Sequence, residues 1–182
     1  MGETVAEPGY PQHWEADVVL RDGEVCHVRP IGPDDGARLI SFHSRLSAKT
    51  IYYRFFAPYP NLSPRDVQRF TTVDYHDRAA LVATVEDEIV GVVRYERTGQ
   101  DEAEVAFVIE DRYQGRGLGT ILLDRIARAA RERGVRRFVA EVLPRNARML
   151  EVFEHAGYEL QSSRTDGYIT LLMDITPKPS EG

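Results

Sequence analysis

A chain of 182 residues with 42% hydrophobic and 29% charged content suits one soluble, globular domain rather than two. No apolar run nears the ~20 residues a membrane helix needs, and no basic segment precedes an apolar one at the N-terminus, so no membrane or secretory role is expected. The net charge of −6 argues against general nucleic-acid binding, and the single Cys26 excludes an internal disulfide and fits a cytoplasmic setting.

Residues 1–12 carry Pro8, Gly9 and Pro11 and read as a loose segment. "EADVVLRDGEVCHVRPI" alternates on both sides of Asp22-Gly23, a hairpin signal in which Cys26 is a buried structural thiol. "GPDDGARLISFHSRLS" has the spacing of a first helix, and "TIYYRFFAPYP" reads as an aromatic, packed connector. "LSPRDVQRFTT" opens a second helix, with Ser63 as N-cap, Pro64 in the first turn and Asp66 completing a capping box. "RAALVATVEDEIVGVVRYERT" gives two strands joined at Asp87-Glu88, and "AEVAFVIED" a third. A helix from Gly117 to Arg133 buries Leu118, Ile121, Leu122, Ile126 and Ala129 and stops at Gly134. Then come the strand "RRFVAEVLP", the short helix "NARMLEVFEHAG", the closing hairpin "YELQSSRTDGYITLLMDI" and a tail at 177–182, leaving one domain over 13–176. Hairpins beside a strand-helix-strand crossover predict a mixed α/β fold.

"EDRYQGRGLGT" places three glycines within five residues at the start of a helix. Bare backbone there lets free N–H groups approach phosphate oxygens, helped by the helix dipole. The P-loop pattern fails because no Gly-Lys pair exists, and the dinucleotide pattern fails because its third glycine is missing. What remains is Q-x-x-G-x-G: Gln114, Gly117 and Gly119. Directly after a strand and opening a helix, Gln114–Gly119 resembles the acyl-CoA pyrophosphate loop of the GNAT N-acetyltransferases. "NARMLEVFEHAGYEL" is similar to that family's second signature, and the likeness runs from about Val25 to Ile175.

The resemblance implies a V-shaped, mostly antiparallel sheet flanked by helices, with acetyl-CoA as co-substrate in the V. By the same resemblance the pantetheine arm lies along strand Glu104–Ile109 and pairs with Val108 and Ile109. The pyrophosphate is held by Gln114, Gly115, Arg116, Gly117, Leu118, Gly119 and Thr120, with Arg112 and Arg116 offering guanidinium contacts. Asn146 stands near the cofactor on the far arm, and Phe153 packs beside it.

An amine acceptor attacks only when neutral. A lysine of reference pKa about 10.4 is neutral about one time in a thousand near pH 7.5, a penalty of roughly 4 kcal/mol. A carboxylate in the cleft offsets part of that by relaying the proton. In "AEVAFVI", Glu104, Ala106 and Val108 share one face, and Glu104 is the only charge in an otherwise apolar stretch. It matches the glutamate of "AE-(V/I)-A-F" in protein-acetylating GNAT enzymes, and it is the candidate general base. The plain alternative is a strand glutamate facing solvent. One position departs from the family: Phe153 stands where many members carry a tyrosine that protonates the leaving thiolate. Tyr113, Tyr158 or a water would have to serve, or departure needs no acid.

"VDYHDR" reads as a polar loop rather than a metal site, since no second ligand group has suitable spacing. "HVRPI", "YYRFF", "VDYHDR" and "AEVAFVIEDRYQGRGLG" are most similar to the catalytic domain of bacterial protein-lysine acetyltransferases, which implies acceptor lysines on acyl-CoA synthetases and related enzymes. Arg112–Arg137 carries a local +6, leaving −12 on the rest, compatible with a cationic protein surface or a polyamine. A small-molecule amine as acceptor, and a non-catalytic acyl-CoA-binding module, remain open alternatives. The oligomeric state is not legible.

Overall fold

The computed structural model describes residues 9–177, so residues 1–8 and 178–182 of the two expected loose ends lie outside the described residues. Within the described part, Tyr10 is tied down: its hydroxyl donates to the Pro30 carbonyl at 3.3 Å and its ring meets Tyr75 edge-on. The chain runs β1 (Ala16–Val19), β2 (Val25–Pro30), α1 (Gly36–Ser44), α2 (Ala48–Phe55), α3 (Pro64–Thr71), β3 (Arg78–Val85), β4 (Glu88–Arg97) and β5 (Glu102–Ile109). It continues through α4 (Leu118–Glu132), β6 (Arg137–Val142), α5 (Ala147–His155), β7 (Glu159–Thr165) and β8 (Tyr168–Asp174).

The strands form one sheet in the order β1-β2-β3-β4-β5-β6-β8-β7. Neighbours are antiparallel except β5 and β6, which run parallel. That parallel pair sets the shape of the molecule. It is joined only from Glu102–Glu104 to Arg137–Val139, although β5 continues to Ile109 and β6 to Val142. Beyond Glu104 the two strands part, and the inner edge of β5 is left without a strand partner. This is the V that the family resemblance implied.

Alternation along β5 sorts its side chains between two cores. Val105, Phe107 and Ile109 join the larger core with α4, while Val108 packs against the smaller one under α1 and α2. α4 lays Leu118, Leu122, Leu123 and Ile126, each at most 1% exposed, against the first face. Gly91 of β4 makes room for it: a Cβ there would stand 3.1 Å from Leu122 and 3.3 Å from Leu118.

Two local expectations need correction. "TIYYRFFAPYP" is not a connector, because its first half belongs to helix α2. Ser47 caps that helix by accepting from the Thr50 N–H, and Phe56 closes it in the left-handed region at φ 58. No glycine marks the stop, so the aromatic run hides the helix. The β3–β4 turn is Glu86-Asp87, one residue earlier than expected, since Glu88 already pairs with Val85. Both turn residues have positive φ, as a tight two-residue hairpin requires. At α3, Ser63 caps as expected and its hydroxyl also donates to the Asp66 carboxylate at 2.8 Å.

Ser47 also fastens α2 to the Gly-rich turn. Its hydroxyl donates to Asp111 at 2.7 Å, and Thr50 donates to the same carboxylate at 3.0 Å. Ser47→Ala removes the cap and this tie. The expected loss is about 1 kcal/mol, read as a fall of roughly 2–4 °C in the thermal midpoint. A midpoint unchanged within error would show that α2 does not depend on the cap.

Candidate active site

The site forms where β5 leaves β6. On the α1–α3 side of the sheet, Glu96 of β4 lies directly across from Glu104, and Arg94 directly across from Ala106. Glu104 is exposed and makes no hydrogen bond or ion pair with any described residue. The carboxyl is pushed above its ordinary value, first by partial burial between the strands, then by the negative Glu141. Arg54 opposes the shift and Glu96 adds to it. A raised pKa strengthens a carboxylate as a base.

Glu141 stands on β6, across the opening from Glu104. Its negative charge raises the Glu104 pKa, so Glu141→Gln removes that push. If Glu104 is the base, the acid limb of kcat/KM moves to lower pH in this variant. A limb that stays in place, or moves up, would break the link between the two carboxylates.

α2 roofs the opening. The Tyr53 hydroxyl reaches the Arg145 carbonyl at 3.4 Å, and Phe56 meets Tyr168 at 5.0 Å between centroids. Both contacts cross the V, from the segment before α3 to the β6 and β8 arm. Arg54, on the same helix, faces the sheet beside Glu104.

The Gly-rich turn sits at the far end of β5. Gly115 (φ 75) and Gly117 (φ 88) occupy the left-handed region, where a side chain is strained. Gly119 is required for a different reason. A Cβ there would stand 3.2 Å from Val152, 3.3 Å from Ile109 and 3.4 Å from Phe107. α4 starts at Leu118 without a side-chain cap. The first hydrogen bond inside the helix comes from the Ile121 N–H to the Gly117 carbonyl. The N–H groups of Leu118, Gly119 and Thr120 are therefore the free donors of a helix N-terminus, suited to an anion. The Gln114 side chain fixes the turn by donating to the Ile109 carbonyl at 2.9 Å and to Thr50 Oγ1 at 3.2 Å.

Backbone alternation decides which β5 groups face the opening. Glu110 donates its N–H to Val90 of β4, whereas the Asp101 carbonyl accepts from the β6 side. The odd-numbered set, Ile109 included, therefore faces the splayed edge. Val108 turns its backbone to β4 and its side chain to the smaller core, where it lines a cavity with Ala106 and Arg94. Asn146 caps α5, its Oδ1 accepting from the Met149 N–H at 3.3 Å. Phe153 is 2% exposed and packs on Phe107 at 5.7 Å.

The arginines distribute differently from their sequence order. Arg112 donates to Glu110 at 2.7 Å. Arg116 donates to Asp22 at 2.6 Å and also pairs with Glu24. Both are thus matched by carboxylates. Arg21 and Arg148 lie against the turn with no carboxylate partner among the described residues. The Arg21 stem is 3.3 Å from a Cβ built on Gly117, and Arg148 donates to Gln114 Oε1 at 3.4 Å. Sequence reasoning passed over Arg21 and noted Arg148 only as a polar neighbour of the leaving thiolate, because neither is close in sequence to the glycines. The two tyrosines considered as acids are engaged elsewhere: the Tyr113 hydroxyl with Glu24 and the Tyr158 hydroxyl with Asp124, each at 3.3 Å. "VDYHDR" is a turn in which Asp74 Oδ1 accepts from the N–H groups of His76, Asp77 and Arg78.

A carboxylate where the strand edge opens and a turn of free N–H groups at the other end of the same strand suit a long ligand with a phosphate at one end. Comparisons with known proteins agree. The family model described as "Acetyltransferase (GNAT) family" matches residues 47–158. The GNAT domain of S. lividans PAT superposes with a TM-score of 0.87 at 53% identity, covering 91% of this chain and 99% of that one. Acetyltransferase Pat of Mycolicibacterium smegmatis is 33% identical over 144 residues, which is 77% of this chain but 43% of that protein. Acetyltransferase PA5475 of Pseudomonas aeruginosa is 33% identical over 129 residues, 68% of each chain. The chain thus spans less than half the length of the Mycolicibacterium relative.

Proposed function

The chain belongs to the GNAT acetyltransferase family, which takes its acetyl group from acetyl-CoA, and we propose that it delivers that group to a lysine side chain of a protein. The observation that carries this reading is Glu104: a carboxylate with no hydrogen-bonding partner among the described residues, raised in pKa, at the point where β5 and β6 part.

In this reading the pyrophosphate of acetyl-CoA rests on the N–H groups of Gly115–Thr120, with Gln114 holding the turn to Ile109. The pantetheine arm follows the free edge of β5, with Asn146 and Phe153 on the opposite arm. The lysine enters from the α2 side. Its nitrogen attacks the thioester carbonyl while Glu104, directly or through one water, accepts the ammonium proton. Collapse of the tetrahedral intermediate breaks the C–S bond. Phe153 has no proton to give, so CoA leaves as a thiolate of reference pKa about 8.5, and the second proton lost from the nitrogen as the amide forms passes through water to that thiolate.

Exposure of both Glu104 and Glu141 at the mouth supports a protein acceptor. Acyl-CoA synthetases are the first acceptors to try, given the relatives the sequence resembles. The test is incubation with labelled acetyl-CoA and a soluble lysate of the source, followed by separate counting of protein and small molecules. Label at defined lysines, lost with Glu104→Gln, supports the reading. Label confined to small amines overturns the acceptor and keeps the reaction.

A further inference from the structure

Two half-buried guanidiniums beside the site lack hydrogen-bonding and ion-pair partners among the described residues. Arg54 of α2 and Arg94 of β4 make no hydrogen bond or ion pair with any described residue. Their only close polar-type contacts are with ring faces, Arg54 over Phe55 at 4.7 Å and Arg94 over Phe70 at 4.5 Å. Neighbouring arginines are used differently. Arg69 pairs with Glu96 at 3.2 Å, and Arg78 donates to the Arg69 carbonyl at 2.8 Å and more weakly to that of Thr72. All four line one cavity of about 210 Å³, in which Glu96 is the only carboxylate. Burial, and then the charges of Arg54, Arg78 and Arg69, push Arg94 down to about 9, against a pull upward from Glu96. It stays cationic at neutral pH. Two guanidiniums held side by side without a hydrogen-bonding partner among the described residues repel each other, and an anion placed between them would relieve that repulsion.

The sheet register fixes where that anion would sit. Arg94 is across from Ala106, two residues along β5 from Glu104 on the same face. Residues i and i+2 of a strand are roughly 7 Å apart. We propose that Arg54 and Arg94 form the subsite for a carboxylate carried by the acceptor, roughly 7 Å from the amine that Glu104 deprotonates. The proposal rests on Glu104 marking the reaction centre. It makes the enzyme selective for amines with a nearby negative charge, although the chain as a whole is acidic. Two sources supply that chemistry: an acidic side chain next to the acceptor lysine in a protein, or the α-carboxylate of a free amino acid.

Four acceptors separate the sources: a lysine peptide with Asp or with Asn beside the lysine, and free lysine or lysinamide. Each is assayed with the wild type and with Arg94→Met, which keeps an unbranched stem against Phe70. Arg54→Met serves as a second variant in case the first folds poorly. The wild type is expected to favour the carboxylate member of one pair by about tenfold in kcat/KM, and the variants to favour it less than twofold. A preference for Asp over Asn identifies a protein side chain, and one for lysine over lysinamide identifies an amino acid. Equal rates within both pairs, or a preference that survives in the variants, overturn the subsite.

Binding is read without turnover from the thermal midpoint in sodium glutarate against sodium chloride of equal ionic strength. If no acceptor is acetylated, the reading of the reaction centre has failed, and this arm alone decides. A glutarate-specific rise lost in Arg94→Met supports the subsite, and its absence overturns it.

Discussion

Glu104→Gln is expected to lower kcat about 10²–10⁴-fold, the usual range for losing a general base, with KM for acetyl-CoA changed less than about twofold. The split between the two constants follows from the geometry. Glu104 sits on the α1–α3 face of β5, whereas the free N–H groups of the Gly-rich turn lie beyond the other end of the strand. Glutamine preserves the shape and cannot take a proton. No described residue loses a hydrogen bond to the Glu104 side chain, although Arg54 loses the negative charge beside it. The effect is read from initial rates at saturating donor, with donor binding measured separately by titration. A variant that keeps its kcat would remove Glu104 from the chemistry. One that loses donor affinity instead would make it a structural residue.

The second large effect concerns the donor. Arg148→Gln is expected to raise KM for acetyl-CoA about tenfold at nearly constant kcat, the size of one charge-assisted hydrogen bond of roughly 1.5 kcal/mol. Arg112→Gln is expected to change it less than about threefold. Sequence proximity favours Arg112, but Glu110 already accepts from its guanidinium at 2.7 Å. A phosphate would have to displace that carboxylate. Arg148 approaches Gly115 from α5 and, among the described residues, has no such partner and only the weak bond to Gln114 to give up. Saturation kinetics of both variants decide between them. The reverse ranking would mean that the turn reorganises around the donor.

The glutamate and the glycine turn were legible because each depends on a short-range rule. Strand alternation places Glu104 opposite Val105 and Phe107, and three glycines before a periodic apolar segment announce a helix with a bare N-terminus. What stayed hidden depends on contacts distant in sequence. α2 ends on a left-handed phenylalanine rather than a glycine, so an aromatic run reads as a connector. The opening between β5 and β6 arises from a pairing of three residues each, which no local pattern states. Arg94 left one trace, a lone charge inside "IVGVVRY", but its meaning depends on α2 bringing Arg54 to the same cavity. Bulk charge is equally silent on local detail: the chain outside Arg112–Arg137 carries −12, yet one cavity on the Glu104 face of the sheet is lined by four arginines and Glu96.

The most direct test is the pH profile of kcat/KM for a lysine acceptor, in the wild type and in Glu104→Gln. A base must be ionised to act, so activity falls as pH drops through its pKa. Burial and Glu141 raise that pKa, which places the acid limb above the 4.5 of an ordinary glutamate. The account predicts such a limb in the wild type and its loss from the residual activity of the variant. The same limb in both proteins would mean that some other group takes the proton.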